Sequence, residues 1–344
     1  MFENEQRTEL STLGEFGLID HITKNFSIAN NTLAGVGDDA AVIKSTAGTC
    51  TLVSTDMLLE GVHFDLSYFP LKHLGYKAIT VNLSDICAMN ATPKQVTVSI
   101  AVSSRFSLEA IEEIYEGIHL ACTHYHVDLV GGDTSTSKQG LVISVAALGE
   151  AAEKDIVYRK GAQVNDLIVV TGDLGGAYCG FQILEREKRV YIDNPSVQPD
   201  LAGHDYIIER QLKPEARKDI IELFKTLDIK PTSMIDISDG LASECFHLAK
   251  HSDVGITLYE DKIPIDPTTY SFARELDLDP TLCALSGGED YELLFTIKQS
   301  DYEKINNHPD FTIIGFVTEK AEGMNLMSKG GNKHALKAQG WKAF

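Results

Sequence analysis

Apolar residues recur at helical spacing in three stretches of the first half of the chain. Leu13, Phe16, Ile19 and Ile22 predict an amphipathic helix over residues 12–25. Leu74, Ala78, Val81 and Ile86 predict another over 72–90, stopped by Pro93. The clearest is 107–124, where Leu108, Ile111, Tyr115, Ile118 and Cys122 share a face and Ser107 can cap the first turn. Between them lie strand patterns: Cys50 to Ser54, the alternating Val96, Val98, Ile100 and Val102 within Gln95 to Val102, and Leu141 to Leu148. After a polar stretch, 151–165, a buried strand from Leu167 to Val170 runs into Gly172-Asp173-Leu174-Gly175-Gly176 and a helix. Residues 186–205 read as a charged loop, Pro214 as the opening of a helix through Phe224, Thr232 to Ile237 as a strand, and Gly240 to Lys250 as a helix. The pattern predicts an α/β (mixed α+β) chain in two halves, 1–150 and 151–344, without a fixed-period repeat or low-complexity tract.

Composition narrows the function. The 344 residues are 43% hydrophobic and 23% charged, an ordinary globular balance. Lys plus Arg total 30 against 50 Asp plus Glu, a formal charge of −20. Such a chain lacks the basic footprint that nucleic-acid binding requires, and no apolar run is long enough to span a bilayer. It would also repel phosphorylated substrates unless cations intervened. The six cysteines are widely spaced, form no CxxC pair and read as reduced packing residues of a cytoplasmic protein. The polar N-terminus lacks the apolar core of a signal peptide.

The aspartates carry the chemistry. They stand at ends of apolar runs or in adjoining Gly turns: Asp38-Asp39 after Gly37, Asp56 after Ser54-Thr55, Asp85 after Ser84, Asp133 after Gly131-Gly132, Asp236 with Asp239, and Glu289-Asp290 after Gly287-Gly288. A single such Asp is ordinarily an Asx turn or a helix cap, and Asp239 suits the helix that follows it. Six together, with Ser and Thr hydroxyls between them, form a hard-oxygen donor set suited to Mg²⁺. Adjacent carboxylates such as Asp38-Asp39 repel unless a cation joins them. No P-loop, no GxGxxG unit and no protein-kinase signature is present. His63 lies seven residues after Asp56, and Arg159 is one of few cations near these acidic stretches, placed to pair with a phosphate.

In order, these strings resemble the thiamine-monophosphate kinase family of the aminoimidazole-ribotide-synthetase-like ATP-binding superfamily. They are Leu13-Gly14-Glu15-Phe16-Gly17-Leu18-Ile19, Gly37-Asp38-Asp39-Ala40-Ala41-Val42, the run from Ser54-Thr55-Asp56 to Glu60-Gly61-Val62-His63-Phe64, Asn82-Leu83-Ser84-Asp85, Gly131-Gly132-Asp133-Thr134, Ile235-Asp236-Ile237-Ser238-Asp239-Gly240 and Leu285-Ser286-Gly287-Gly288-Glu289-Asp290-Tyr291-Glu292. The likeness runs from about residue 11 to the end. It implies a two-domain fold whose N-terminal halves join in a homodimer, with ATP sites involving the interface. It implies transfer of a phosphoryl group from ATP to thiamine monophosphate, giving thiamine diphosphate, aided by several Mg²⁺ ions. Carried over by position, Asp39, Ser54, Thr55, Asp56, Asp85, Asp133, Asp236 and Asp239 would bind magnesium. Tyr115, Gly132, Asp133, Arg159 and Ser238 would contact ATP, and His63, Glu289 and Trp341 the thiamine phosphate. No protein nucleophile is expected. Two alternatives stay open: another ATP-using enzyme of the superfamily, such as a selenophosphate synthetase or a hydrogenase-maturation factor, and a non-catalytic Mg²⁺-dependent nucleotide-binding protein. The first cysteine, Cys50, sits inside a strand and counts against a selenophosphate synthetase, which places a reactive Cys or selenocysteine in an N-terminal loop.

Overall fold

In the computed structural model, residues 10–28, 30–46 and 48–338 are described. A short helix α1 (Gly14–Thr23) precedes a six-stranded sheet. Its strands are β1 (Thr32–Ala34), β2 (Ala41–Thr46), β3 (Thr49–Leu59), β4 (Thr92–Val102), β5 (Asp128–Thr136) and β6 (Val142–Ala152), in the order β1-β2-β3-β6-β4-β5. Only β4 and β5 pair in parallel. Alternation sends Leu52, Val96, Val98, Ile100, Ile143, Val145 and Ala147 to one buried face. Helices α2 (Leu71–Ala88) and α3 (Leu108–Tyr125) cover that face. They cross at two glycines. A Cβ on Gly75 would lie 1.9 Å from the Ile114 carbonyl oxygen, and one on Gly117 would lie 1.9 Å from that of Lys72.

The second sheet has seven strands: β7 (Leu167–Thr171), β8 (Ser233–Asp236), β9 (Gly255–Tyr259), β10 (Leu293–Ile297), β11 (Phe311–Thr318), β12 (Met324–Met327) and β13 (Lys333–Ala335). Their order is β13-β12-β9-β11-β7-β10-β8. Helices accompany it: α4 (Gly176–Asp193), α5 (Asp205–Leu212), α6 (Lys218–Leu227), α7 (Leu241–Ser252), α8 (Pro267–Glu275) and α9 (Pro280–Ser286). Helix α6 packs Phe224 against Phe295 and Phe311 in one core, while α7 and α9 pack with Ile235, Leu258 and Leu294 in another. The core of the first sheet continues into Ile183, Ile207 and Phe272 of the second half. Among the described residues no helix is long and apolar enough to cross a membrane.

Helix α2 lies between the halves. Leu74, Ala78, Ile79, Leu83 and Ile86 face the first sheet, Cys87 and Ala88 join a core of the second half, and Lys77, Thr80, Asn82 and Ser84 are buried as well. Asx and hydroxyl side chains turn back to helix carbonyls, Thr80 Oγ1 to Tyr76 and Asn82 Nδ2 to Ala78.

Several sequence expectations are corrected. Residues 186–193 are the last turns of α4, not loop; Ile183, Leu184 and Glu187 are buried beneath a charged outer face, and Lys188 pairs with Glu185. Pro214 does not open a helix: it is buried in the 213–217 connection, and α6 starts at Lys218. Pro93 lies inside β4, and α2 has already ended at Ala88. The glycines of 131–132 do not form a turn; they lie within the edge strand β5. Asp56 lies within β3 and Asp85 within the last turn of α2, so neither is at a strand end.

Candidate active site

A cleft of about 1320 Å³ separates the two sheets. Three carboxylates from three distant elements meet in it: Asp39 just before β2, Asp85 near the end of α2 and Asp236 at the end of β8, with one oxygen of each within 4.8 Å of the others. Hydroxyls orient two of them. Ser54 Oγ donates to Asp85 Oδ2, and Ser84 Oγ donates to Asp236 Oδ2 at 2.5 Å. Arg159 donates to Asp39 Oδ1 through Nε and Nη2, at 3.2 and 2.6 Å, and its backbone N–H reaches Asp38 Oδ2 at 3.2 Å. The other oxygen of Asp39, Oδ2, is buried without a hydrogen-bond partner.

The electrostatics are unfavourable for the protein alone. Burial, then Asp39, pushes Asp38 and Asp236 up to about 7. Burial raises Asp85 well above the carboxylate range, with Asp56, Asp236 and Asp39 adding to it. Burial also raises Asp39, with Arg159 opposing. Asp56 is raised and Asp239 pushed up to about 6, both by burial and then by Glu15. Oxygen donors held together against their own repulsion, one of them buried and unpartnered, fit a hard divalent cation such as Mg²⁺.

Thr55, Asp56, Ser238 and Asp239 line the same cleft. Thr55 Oγ1 donates to the Val145 carbonyl at 3.0 Å, and the Asp56 N–H is held by Asn82 Oδ1 at 2.9 Å. Asp239 does not cap α7: Gly240 is the N-cap, and the Asp239 N–H instead donates to Glu244 Oε1.

His63 and Glu289 line the cleft too. His63 Nδ1 accepts the Leu59 N–H at 3.0 Å, which places the ring proton of the neutral form on Nε2. Burial lowers the His63 pKa, against the pull of Glu289. The Glu289 carboxylate is gripped by Lys77 Nζ at 3.1 Å and Gln211 Nε2 at 2.7 Å.

Tyr115, Gly132 and Asp133 lie elsewhere in the single chain. They line a separate hollow of about 560 Å³ on the exposed edge strand β5. Pairing puts Asp56 opposite Val145, Val145 opposite Val98 and Val98 opposite Gly132, so Gly132 is three strands from Asp56, roughly 14 Å along the sheet. Gly132 also has a backbone reason, since a Cβ there would lie 1.9 Å from the Val98 carbonyl oxygen. Trp341 falls outside the described residues. All six cysteines are buried free thiols.

Sequence reading assigned no role to Glu15, Lys77, Asn82, Ser84 or Gln211. Glu15 enters the cleft beside Phe16, whose ring packs tilted at 54° against His247 with centroids 4.3 Å apart and docks α1 against the second half. For Lys77 a signal existed: a lysine on the apolar face of a helix needs a buried partner.

Comparison with known proteins fits this geometry. Residues 37–151 match the family described as AIR synthase related protein, N-terminal domain. The thiamine-monophosphate kinase of Bacillus subtilis is 34% identical over 337 residues, covering 96% of this chain and 100% of that one. That of Aquifex aeolicus is 36% identical over 336 residues, covering 97% and 99%. Among solved structures, AaThiL complexed with AMPPCP and TMP superposes with a TM-score of 0.83 at 33% identity, covering 98% of this chain and 99% of that one. The hydrogenase maturation protein HypE of E. coli matches at 18% identity with a TM-score of 0.65, covering 83% and 85%, a likeness of fold alone. The chain belongs to the thiamine-monophosphate kinase family.

Proposed function

We infer that the protein transfers the γ-phosphoryl group of ATP to thiamine monophosphate, giving thiamine diphosphate and ADP. One observation carries the reading: a single cleft holds the Asp39/Asp85/Asp236 cluster together with His63 and a braced Glu289. An oxygen of the acceptor phosphate forms the new bond to the γ-phosphorus, while the bond to the β-phosphate oxygen breaks and its electron pair leaves with ADP. The acceptor phosphate is already largely ionised near neutral pH, so the reaction asks for no protein base or nucleophile. When bound, Mg²⁺ neutralises the repulsion between the two polyanions.

The protein supplies a place for that cation and a frame for both substrates. Asp39, Asp85 and Asp236 offer oxygens at the centre, and Ser54, Thr55, Asp56 and Asp239 surround them. Arg159 keeps Asp39 in place and, beside Ser238, faces the nucleotide side. His63 and Glu289 take the thiamine side, and the family resemblance assigns Trp341 to the same substrate.

Asp133, Gly132 and Tyr115 complete the nucleotide site from a second copy of the chain. Support comes from the edge strand β5, exposed along its length, and from Met57, Leu129 and Val130, which expose 52%, 43% and 59% of their surface. The homodimer is thus built on the 1–150 half, with 151–344 as the second domain. The six reduced thiols favour a cytoplasmic location. The test is direct: purified protein, Mg-ATP and thiamine monophosphate, with chromatography for the product. Nucleotide binding without thiamine diphosphate formation leaves a non-catalytic Mg²⁺-nucleotide binder and sinks the kinase.

A further inference from the structure

Lys77 is fully buried, at 0% exposure, on the helix that lies between the two halves. Burying an ammonium costs several kcal/mol unless every donor is matched. Here Nζ meets Glu289 Oε1 at 3.1 Å and the Gln211 carbonyl at 3.1 Å, and lies 5.5 Å from the centroid of the Phe69 ring. Phe69, Gln211 and Glu289 line the cleft. Lys77 stands behind them.

The carboxylate it grips is over-determined. Gln211 Nε2 holds the second oxygen of Glu289 at 2.7 Å. The backbone around it is left-handed, with φ of +73° at Gly288, +58° at Glu289 and +52° at Tyr291. Non-glycine residues persist there only where the surroundings enforce it. The Glu289 N–H donates to Ser238 at 2.7 Å, and the Tyr291 N–H to Ile237 at 2.9 Å. A carboxylate has about four acceptor positions, so one bond to each oxygen leaves about two for an occupant of the cleft. A side chain 30% exposed and held this firmly is a preformed acceptor.

Helix α2 also fixes where that acceptor stands. Lys77 and Asp85 are eight residues apart on one helix, about 12 Å along its axis. One rigid element therefore spaces the Glu289 end of the cleft from the carboxylate cluster.

We propose that Lys77 is a positioning residue for the acceptor substrate: with Gln211 it aims the Glu289 carboxylate into the cleft as a two-point acceptor for a cationic, amine-bearing ring system. This rests on the kinase reading above, in which the substrate carries an aminopyrimidine and a thiazolium. Lys77 acts through Glu289 and does not touch the substrate.

The test is a double-mutant cycle with wild type, Lys77→Met, Glu289→Gln and the double variant. Thiamine monophosphate binding is titrated calorimetrically without ATP, beside steady-state kinetics. Lys77→Met should weaken binding and raise the KM for thiamine monophosphate about ten-fold, with kcat and the KM for ATP within about two-fold. In the Glu289→Gln background the same change should add less than about two-fold, because the partner is already lost. Additive losses would mean that Lys77 acts independently of Glu289 and would overturn the proposal. A lowered melting temperature with unchanged KM would reduce Lys77 to a fold element. If Lys77→Met does not fold, Gln211→Leu tests the other half of the grip and should raise the same KM several-fold; no change overturns the proposal. Wild type that binds thiamine monophosphate without forming thiamine diphosphate sinks the kinase reading alone, and wild type that does not bind it sinks both.

Discussion

Replacing Asp85 by Asn should stabilise the metal-free protein while abolishing turnover. Asp85 faces Asp39, Asp56 and Asp236, and its carboxylate accepts a hydrogen bond from the Ser54 hydroxyl. Two unit charges about 5 Å apart repel by roughly 3 kcal/mol at an effective dielectric near 20, so ionised Asp85 meets roughly 6 kcal/mol from Asp39 and Asp236 together. Protonation sets a ceiling: holding a carboxyl neutral at pH 8 against an unfolded value of 3.8 costs about 1.36 × 4.2, or about 6 kcal/mol. Partial relaxation and counterions reduce both figures. Asn keeps an oxygen for Ser54 and adds an N–H that a neighbouring carboxylate can accept. A gain of about 2–4 kcal/mol follows, and with about 2.1 cal/mol/K per residue of unfolding entropy this is a rise of about 3–6 °C in Tm. The sign is tied to pH. Asp38 and Asp236 near 7, and Asp239 near 6, bind protons in the native state that the unfolded chain has lost above 3.8. Wild-type stability in EDTA therefore falls as pH rises from about 4 to 7, and Asp85→Asn should flatten that fall. The assay is a set of melting curves at pH 5 and 8, in EDTA and in Mg²⁺. Mg²⁺ should raise the wild-type Tm more at pH 8 than at pH 5, and raise that of the variant little. A variant less stable than wild type at pH 8 in EDTA, or one retaining turnover at limiting Mg²⁺, would refute the reasoning.

Gly117→Ala should cost at least about 3 kcal/mol, since the new Cβ would lie 1.9 Å from the Lys72 carbonyl oxygen on the neighbouring helix; an unchanged urea midpoint would mean that the two helices can part freely. Burial would raise Asp65, but hydrogen bonds from Lys188 and Ser67 outweigh it and bring it down to about 2. That stability is full above the unfolded value of 3.8 and fades as pH falls through 2, so Lys188→Ala should cost about 1 kcal/mol at pH 7, after allowance for solvent screening, and less at pH 3; equal losses at both pH values would contradict the pairing. Light scattering should give twice 37.7 kDa at micromolar concentration, and a monomer mass would remove the second copy from the nucleotide site. Trp341→Ala should raise the KM for thiamine monophosphate about 2- to 30-fold, the worth of one cation–π contact, with kcat unchanged; a fall in Tm alone would make the tail structural.

Periodicity made the regular parts legible. Helix 107–124 and the alternation from Gln95 to Val102 differ from the observed elements by at most three residues at any end, because one face of each is continuously apolar. Elements whose burial depends on partners far along the chain were not legible. Residues 186–193 carry charge because, of the buried side of this helix, only Glu187 falls within them; Cys179, Ile183 and Leu184 lie in the turns before. Strand β5 has no apolar alternation, because all of it is exposed in the single chain. The site was half legible for the same reason. Asp39, Asp85 and Asp236 stood out as carboxylates at the ends of apolar runs or in adjoining turns, and they do meet. That Asp133 lies three strands away follows from the strand order β3-β6-β4-β5, which local sequence does not encode. Lys77 and Gln211, 134 residues apart, share Glu289 only because α5 packs beside α2.

The two ends of the cleft treat charge in opposite ways, and the contrast explains how so acidic a chain handles phosphates without a phosphate-gripping lysine loop. At one end several raised carboxyls share one close cation among the described residues, Arg159, which donates to Asp39 through Nε and Nη2 and to Asp38 through its backbone N–H. The remaining negative charge has no internal partner, so it favours a small, hard cation and through it an anionic phosphate. At the other end Glu289 is matched one-for-one by Lys77. A compensated carboxylate is a weak competitor for Mg²⁺ but keeps open acceptor positions for N–H donors. Exchanging the two arrangements would change both ends: a lysine beside Asp85 would compete with a divalent cation for its oxygens, and an uncompensated Glu289 would itself attract cations. On the proposal that Lys77 positions Glu289 for the acceptor, the buried lysine, about 12 Å from Asp85 along α2, sets a charge-compensated end of the cleft apart from an uncompensated one.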